Sequence, residues 1–121
     1  MATSAKVAPP NSVVLVTDPS NGEIPRTLGG SLIAATSSCV AIGCRSEVDG
    51  ETEFTLGTTR EVDPGNRPAF EGELKTPSRK IAVRSVLGQT ILEAPVQQEQ
   101  TTIRVWLNDP KEPDRVIVGI G

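Results

Sequence analysis

Proline and glycine interrupt this chain at intervals of about ten residues, and β-branched residues fill the gaps. Ten prolines and eleven glycines among 121 residues leave little room for a long regular element. No segment carries a 3.6-residue apolar stripe of useful length, so helices are not the expected way to bury apolar surface. Short strands joined by turns are. The expected fold class is all-β, an antiparallel β-sandwich of about eight short strands, with an open β-barrel as the alternative.

The candidate strands are Ser12–Thr17, Ser31–Thr36, Cys39–Glu47, Glu51–Gly57, Ala69–Lys75, Lys80–Leu87, Gln89–Ala94, Thr101–Leu107 and Arg115–Ile120. Between them stand turn formers: Asp18-Pro-Ser-Asn-Gly22, Gly29-Gly30, Asp49-Gly50, Asp63-Pro-Gly-Asn66 and Asn108-Asp-Pro110. Residues 1–11 carry paired prolines and small side chains and read as a flexible N-terminal arm. Residues 12–121 read as a single β-sandwich domain.

Three hairpins follow from the patterning. A three-residue loop, Val48-Asp49-Gly50, sets Cys44 against Phe54, Ile42 against Leu56 and Arg45 against Glu53, which keeps one face apolar. Glycine at the first central position of a Gly88-Gln89 turn pairs Val86 with Ile91 and Arg84 with Glu93. Ile81, Val83, Leu87, Leu92 and Ala94 then share the core face. The third hairpin joins Ile103–Leu107 to Val116–Ile120 through residues 108–114. The alternation calls no lysine, acid or hydroxyl into the core.

Cys39 and Cys44 are the only cysteines. In an extended strand their Cα atoms stand ~16 Å apart. A disulfide needs roughly 4.4–6.8 Å, so the two are expected as separate buried thiols, as in a reducing compartment.

The chain has no histidine and no tyrosine. Histidine is the usual general base near neutral pH and the commonest metal ligand, so Ser-His-Asp and Cys-His sites, a zinc deaminase site and a facial triad are excluded from the chain's own residues. The chain is not expected to be an enzyme. No glycine-rich phosphate loop is present, since Leu28-Gly-Gly-Ser31 is too short and lacks a following lysine, and no pattern calls for a cofactor. The formal net charge of -3 and the scattered basic residues argue against nucleic acid as a partner. No stretch approaches the ~20 apolar residues of a membrane span, and the first residues lack an apolar signal-peptide core, so a cytoplasmic location is expected.

Candidate contact residues gather on loops and one strand face. Trp106, the only tryptophan, falls on the outer side of its strand beside Arg104, the composition of an interface hot spot. Its alternative place is at the end of the core or under the Pro110–Pro113 loop. Asp109, Lys111 and Glu112 sit in that loop, which its two prolines stiffen. Arg60 and Arg67 lie in the irregular stretch from Gly57 to Pro68, whose polar mix suits recognition, although a crossover between sheets explains it too. Glu47, Asp49 and Glu51 concentrate acid at one tip. They are weak candidates for a metal because they lack the spacing of a calcium loop, and a solvated turn accounts for them as well.

These features point to a non-catalytic protein-binding or assembly module that presents loops and an outer sheet face to a protein partner. Self-association through the Trp106 face to a homo-oligomer is one form. An inhibitor or immunity-type protein is another, since an acidic tip and a stiff loop suit a basic target such as a nuclease. The alternative is a small-molecule or cation-binding β domain.

Overall fold

Among the described residues of the computed structural model (2–20, 22–25 and 31–121) the apolar alternation resolves into ten strands. They are β1 Thr3–Val7, β2 Val13–Thr17, β3 Ile33–Ala35, β4 Cys39–Gly43, β5 Thr52–Thr58, β6 Phe70–Lys75, β7 Lys80–Ser85, β8 Thr90–Pro95, β9 Gln100–Leu107 and β10 Arg115–Ile120. One helical turn, α1 Thr59–Val62, follows β5. The expected turn at Gly29-Gly30 and the Leu28–Ser31 stretch up to Gly30 lie outside the described residues, as does Asn21.

The strands form two five-stranded sheets, ordered β1-β5-β10-β9-β6 and β3-β4-β2-β7-β8. The chain is a β-sandwich and not a barrel. Its pairs are antiparallel with one exception, the parallel β5–β10 pair, in which Val116 lies beside Phe54 and Val118 beside Leu56. Val14, Val16, Val40 and Ile42 from one sheet meet Phe54, Leu56, Val105 and Val118 from the other in a single core. Burying each such side chain contributes roughly 1.5–3 kcal/mol.

On β9 the period-two alternation holds as read. Ile103 and Val105 are fully buried in the core, and Leu107 packs against it. The expected β9–β10 hairpin also forms, with Val116 opposite Leu107 and Ile120 opposite Ile103.

Residues 3–7 are not a flexible arm. They form β1 at the edge of the first sheet, with Ala5 opposite Phe54 and Lys6 opposite Glu53. Ala5 and Val7 pack on the core, and the Ser4 and Thr55 hydroxyls lie 3.0 Å apart. An edge strand gains its ladder bonds from its neighbour, so small residues serve where an apolar pattern is faint.

The expected hairpin at Val48-Asp49-Gly50 does not form. β4 pairs with β2 and β3, and β5 pairs with β1 and β10, so residues 44–51 cross from one sheet to the other. Cys44, Ile42, Phe54 and Leu56 do share the core, but as residues of facing sheets and not as cross-strand partners. Alternation identifies the buried face; it does not say which strand lies alongside.

The β7–β8 hairpin does form, two residues out of the expected register. Val83 pairs with Leu92 and Ile81 with Ala94, with a bulge between Val83 and Arg84. The turn is wider than two residues, because Ser85 N–H donates to Gln89 O at 2.8 Å and Gly88 N–H to Ser85 O at 3.0 Å. Gly88 adopts φ 89° there, and Leu87 is exposed on the turn and not in the core. A slip of two keeps every strand residue on its own face, so the apolar pattern cannot detect it.

The stretch from Gly57 to Pro68 is a crossover, but not between sheets. It links β5 to β6 in the same sheet and runs over that sheet's outer face.

One acid does enter the interior. Asp18, 1% exposed, stands at the end of β2. Its Oδ1 accepts from Ser20 N–H and Oγ at 2.8 Å and from Ser78 Oγ at 2.7 Å, and its Oδ2 accepts from Ser78 N–H at 2.7 Å. A buried carboxylate is tolerated when such donors replace its water.

Candidate functional site

The residues with exposed chemistry gather at the end of the sandwich opposite Asp18, where the 44–51 crossing meets the β9–β10 loop. The loop is held by its own side chains. Asn108 Oδ1 accepts from the backbone N–H groups of Asp114 and Arg115, each at 3.1 Å, and Asn108 Nδ2 donates to Asp114 Oδ1 at 2.7 Å. Asp109 Oδ2 accepts from Glu112 N–H at 2.7 Å and Lys111 N–H at 3.0 Å, and these two bonds hold its carboxyl below the ordinary aspartate value. Pro113 is buried. A loop fixed in this way loses little conformational freedom when it meets a partner.

The crossing is docked on that loop. Arg45 N–H donates to Pro113 O and Glu53 N–H to Asp114 O, both at 2.9 Å. The Arg45 guanidinium bonds Asp49 O and lies 3.4 Å from the Asp114 carboxylate. Residues Glu47–Asp49 form a single 3₁₀ turn, with Ser46 Oγ accepting from Val48 N–H at 3.4 Å and Gly50 at φ 126° closing it. Arg115 pairs with Glu53 at 3.2 Å. Among the described residues Glu47, Asp49, Glu51 and Glu112 make no ion pair. At the apex Val48 is 87% exposed.

The sequence-derived candidates therefore separate. Asp109, Lys111 and Glu112 lie together in the loop, and Asp49 shares a hollow with Asp109 and Glu112, whereas Glu51 stands with Lys6 and Arg115 and Glu47 accepts from Asn11 N–H at 3.3 Å. Among the described residues no group of three or more His, Cys, Asp or Glu side chains is placed to hold a metal ion. Arg60 sits exposed on α1, at the far end of β5 from the acidic tip, and Arg67 is exposed in the crossover. Arg104 lies on the outer face as read, but it is engaged. It pairs with Glu71 at 3.0 Å and donates to Gly121 O at 2.8 Å.

Trp106 is not the exposed anchor its alternation suggests. Its side chain does face outward from β9, yet the residue is 3% exposed, because the 57–68 crossover lies over it. Trp106 Nε1 donates to Asn66 O at 2.8 Å. The cover is this crossover and not the Pro110–Pro113 loop. A partner or a second copy therefore finds no Trp106 face.

No protein-family model matches the chain, and no curated protein matches it. A solved structure does. It is ComJ from Bacillus subtilis, an inhibitor of the DNA-degrading activity of NucA. The TM-score is 0.69 over 98% of this chain and 93% of that one, at 8% sequence identity. The fold is shared with ComJ end to end.

The alternation sets Arg45 against Glu53, but with no hairpin there Arg45 pairs with Asp114 and Glu53 with Arg115. The partners of Arg45 come from residues far along the chain, Pro113 and Asp114, and no local spacing announces them. No helix among the described residues is long and apolar enough to cross a membrane.

Proposed function

We propose that this chain is a non-catalytic inhibitor-type module that acts in the cytoplasm by binding a protein with a basic surface, in the first instance a nuclease. The observation that carries the reading is the end-to-end likeness of fold to ComJ, an inhibitor of a DNA-degrading enzyme. The acidic end supplies a physical reason. An enzyme that acts on DNA must bind a polyanion, so its substrate surface carries lysine and arginine. Glu47, Asp49, Glu51 and Glu112, which make no ion pair among the described residues, complement such a surface and would speed encounter with it. The cation-binding alternative has no converging set of three His, Cys, Asp or Glu side chains among the described residues to support it.

The test is affinity capture from the native cell, followed by assay of the captured protein's DNA-degrading activity at rising amounts of this chain. Suppression complete near one equivalent is the expected result. Capture of proteins whose activity the chain leaves untouched removes the inhibitor reading.

A further inference from the structure

The two sheets do not meet evenly along the side where β3 and β6 are the edges. At one end they are tied, since Lys75 N–H donates to Ser37 O at 2.9 Å. Toward the other end they part, and a cleft of about 530 Å³ opens between Leu32 and Ile33 of one sheet and Ala69 and Leu107 of the other. Ile33 and Leu107 also pack on the main core, so the cleft floor is an exposed margin of the hydrophobic interior. Its volume is in the range of sites that accept small ligands or a few side chains, ~300–1,000 Å³.

The rim sets the charge of what enters. Asp109 lines the cleft and also lines the neighbouring hollow with Asp49, Glu112, Asp114 and Arg45, the one cation there, which is paired with Asp114. The apolar floor and the acidic end are thus one continuous surface with Asp109 at the joint. We propose that the cleft takes a short extended segment of the partner protein, an apolar side chain flanked by lysine or arginine. The apolar residue enters between Leu32 and Ala69 and the cations meet Asp109 and Glu112. The proposal rests on the inhibitor reading for its partner class and adds the contact that gives specificity: charge steers, and the apolar side chain fixes the register. A purely acidic surface would hold any polycation. The cleft discriminates among them.

The probe is a synthetic peptide, Lys-Leu-Phe-Leu-Lys, titrated into the isotope-labelled full chain while backbone amide shifts are followed. Its control is Lys-Ser-Ser-Ser-Lys, of equal charge. Saturable shifts centred on Leu32, Ile33, Ala69 and Leu107 are expected with the first peptide and absent with the second. Ala69 is exposed, so Ala69→Trp fills the cleft without entering the core, and Leu32→Lys places a cation in it. Each should weaken binding about tenfold or more. Asp109→Asn retains an acceptor for the loop and should weaken binding less while flattening its salt dependence. Equal response to both peptides, or a response that Ala69→Trp leaves unchanged, overturns the proposal. So does concentration-dependent dimerisation through the same amides, which would make a second copy the occupant. The titration uses no nuclease, so its failure is distinct from failure of the inhibitor reading. An Ala69→Trp chain that still inhibits fully sinks the cleft alone.

Discussion

Trp106 Nε1 donates to Asn66 O at 2.8 Å across forty residues of chain, and that bond fastens the β5–β6 crossover to the outer face of its own sheet. Trp106→Ala should therefore act on stability, with a loss of about 3–5 kcal/mol, typical of a buried tryptophan. Trp106→Phe keeps most of the ring and loses the N–H donor, at a cost nearer 1 kcal/mol plus the unfilled space. Urea unfolding measures both. Because Trp106 is the only tryptophan, its fluorescence reports on this contact alone. Emission should be blue-shifted in the native chain and move to the red when the crossover is lifted. A Trp106→Ala midpoint equal to wild type would mean the crossover does not cover the ring.

Gly57 and Gly119 are neighbours across the parallel β5–β10 pair, and together they make the trough in which α1 lies. A Cβ on Gly119 would stand 2.8 Å from Thr59 Oγ1 and 3.1 Å from Thr59 Cα, and one on Gly57 would stand 2.9 Å from Val62 Cγ1. Alanine in a strand ordinarily gains ~0.5–1 kcal/mol over glycine. Here the overlap with the Thr59 backbone reverses the sign, and Gly119→Ala should lose about 1–3 kcal/mol in thermal or urea unfolding. A stabilised Gly119→Ala would show that α1 can lift away without cost.

The faces of the strands were legible in the sequence, and their neighbours were not. Ile103 and Val105 inside, Arg104 and Trp106 outside, follow from a period of two. The pairing of β5 with β10 rests on contacts sixty residues apart, and nothing near Phe54 distinguishes a hairpin from a crossing. Asp49-Gly50 looked like a hairpin tip because such dipeptides favour tight turns, and the same dipeptide serves a crossing equally well. Trp106 was placed on the correct face, but the cover over it comes from Asn66 and α1, which no local pattern specifies. The acidic tip and the proline loop were each visible. That they form one surface is a property of the fold, through Arg45, Pro113 and Asp114.

Asp18 ties the end of β2 to Ser78 in the β6–β7 turn, and its ionised form is the one so bound. Burial by itself would raise its pKa. The hydrogen bonds from Ser78 and Ser20 outweigh that, and the folded-state value lies below the ordinary one. A depressed carboxyl contributes stability that is complete above the unfolded value of ~3.9 and is lost as pH falls through the folded value. Asp18→Asn should cost about 1.5–3 kcal/mol at neutral pH. The gap between wild type and variant should narrow below about pH 4, as the wild-type carboxyl takes up its proton. Urea midpoints at a series of pH values decide this, and a gap that stays constant or widens in acid would contradict the assignment.

Acidic variants should separate the binding end from the scaffold. Glu47→Gln, Asp49→Asn and Glu112→Gln together remove exposed charges that make no ion pair among the described residues. Stability should change by less than about 0.5 kcal/mol, as for surface substitutions in general. Association with a basic target should slow by roughly an order of magnitude at low salt and much less at high salt, because the lost interaction is long-range steering. Stopped-flow association at two ionic strengths reads this directly. An unchanged rate at low salt would place the contact surface elsewhere.

The two thiols give a final check on the sheet faces. Cys39 and Cys44 are both free and buried, five residues apart, and therefore on opposite faces. Cys44 joins the main core, whereas Cys39 packs with Leu15 and Ala41 on the outer side of the second sheet. Burial pushes the Cys39 thiol up to about 11 and raises Cys44 as well, so neither forms much thiolate at neutral pH. Labelling by a thiol-specific disulfide reagent should therefore be slow in the native chain and should accelerate only as denaturant opens the structure. Cys39 lines a hollow with Asp18, Gly22 and Ile24 outside the inter-sheet core, so Cys44→Ser should leave residual labelling that responds to local opening. Cys39→Ser should leave labelling that tracks global unfolding. Rapid native labelling of the Cys39→Ser chain would show that the inter-sheet core is open to solvent at Cys44, contrary to the packing described.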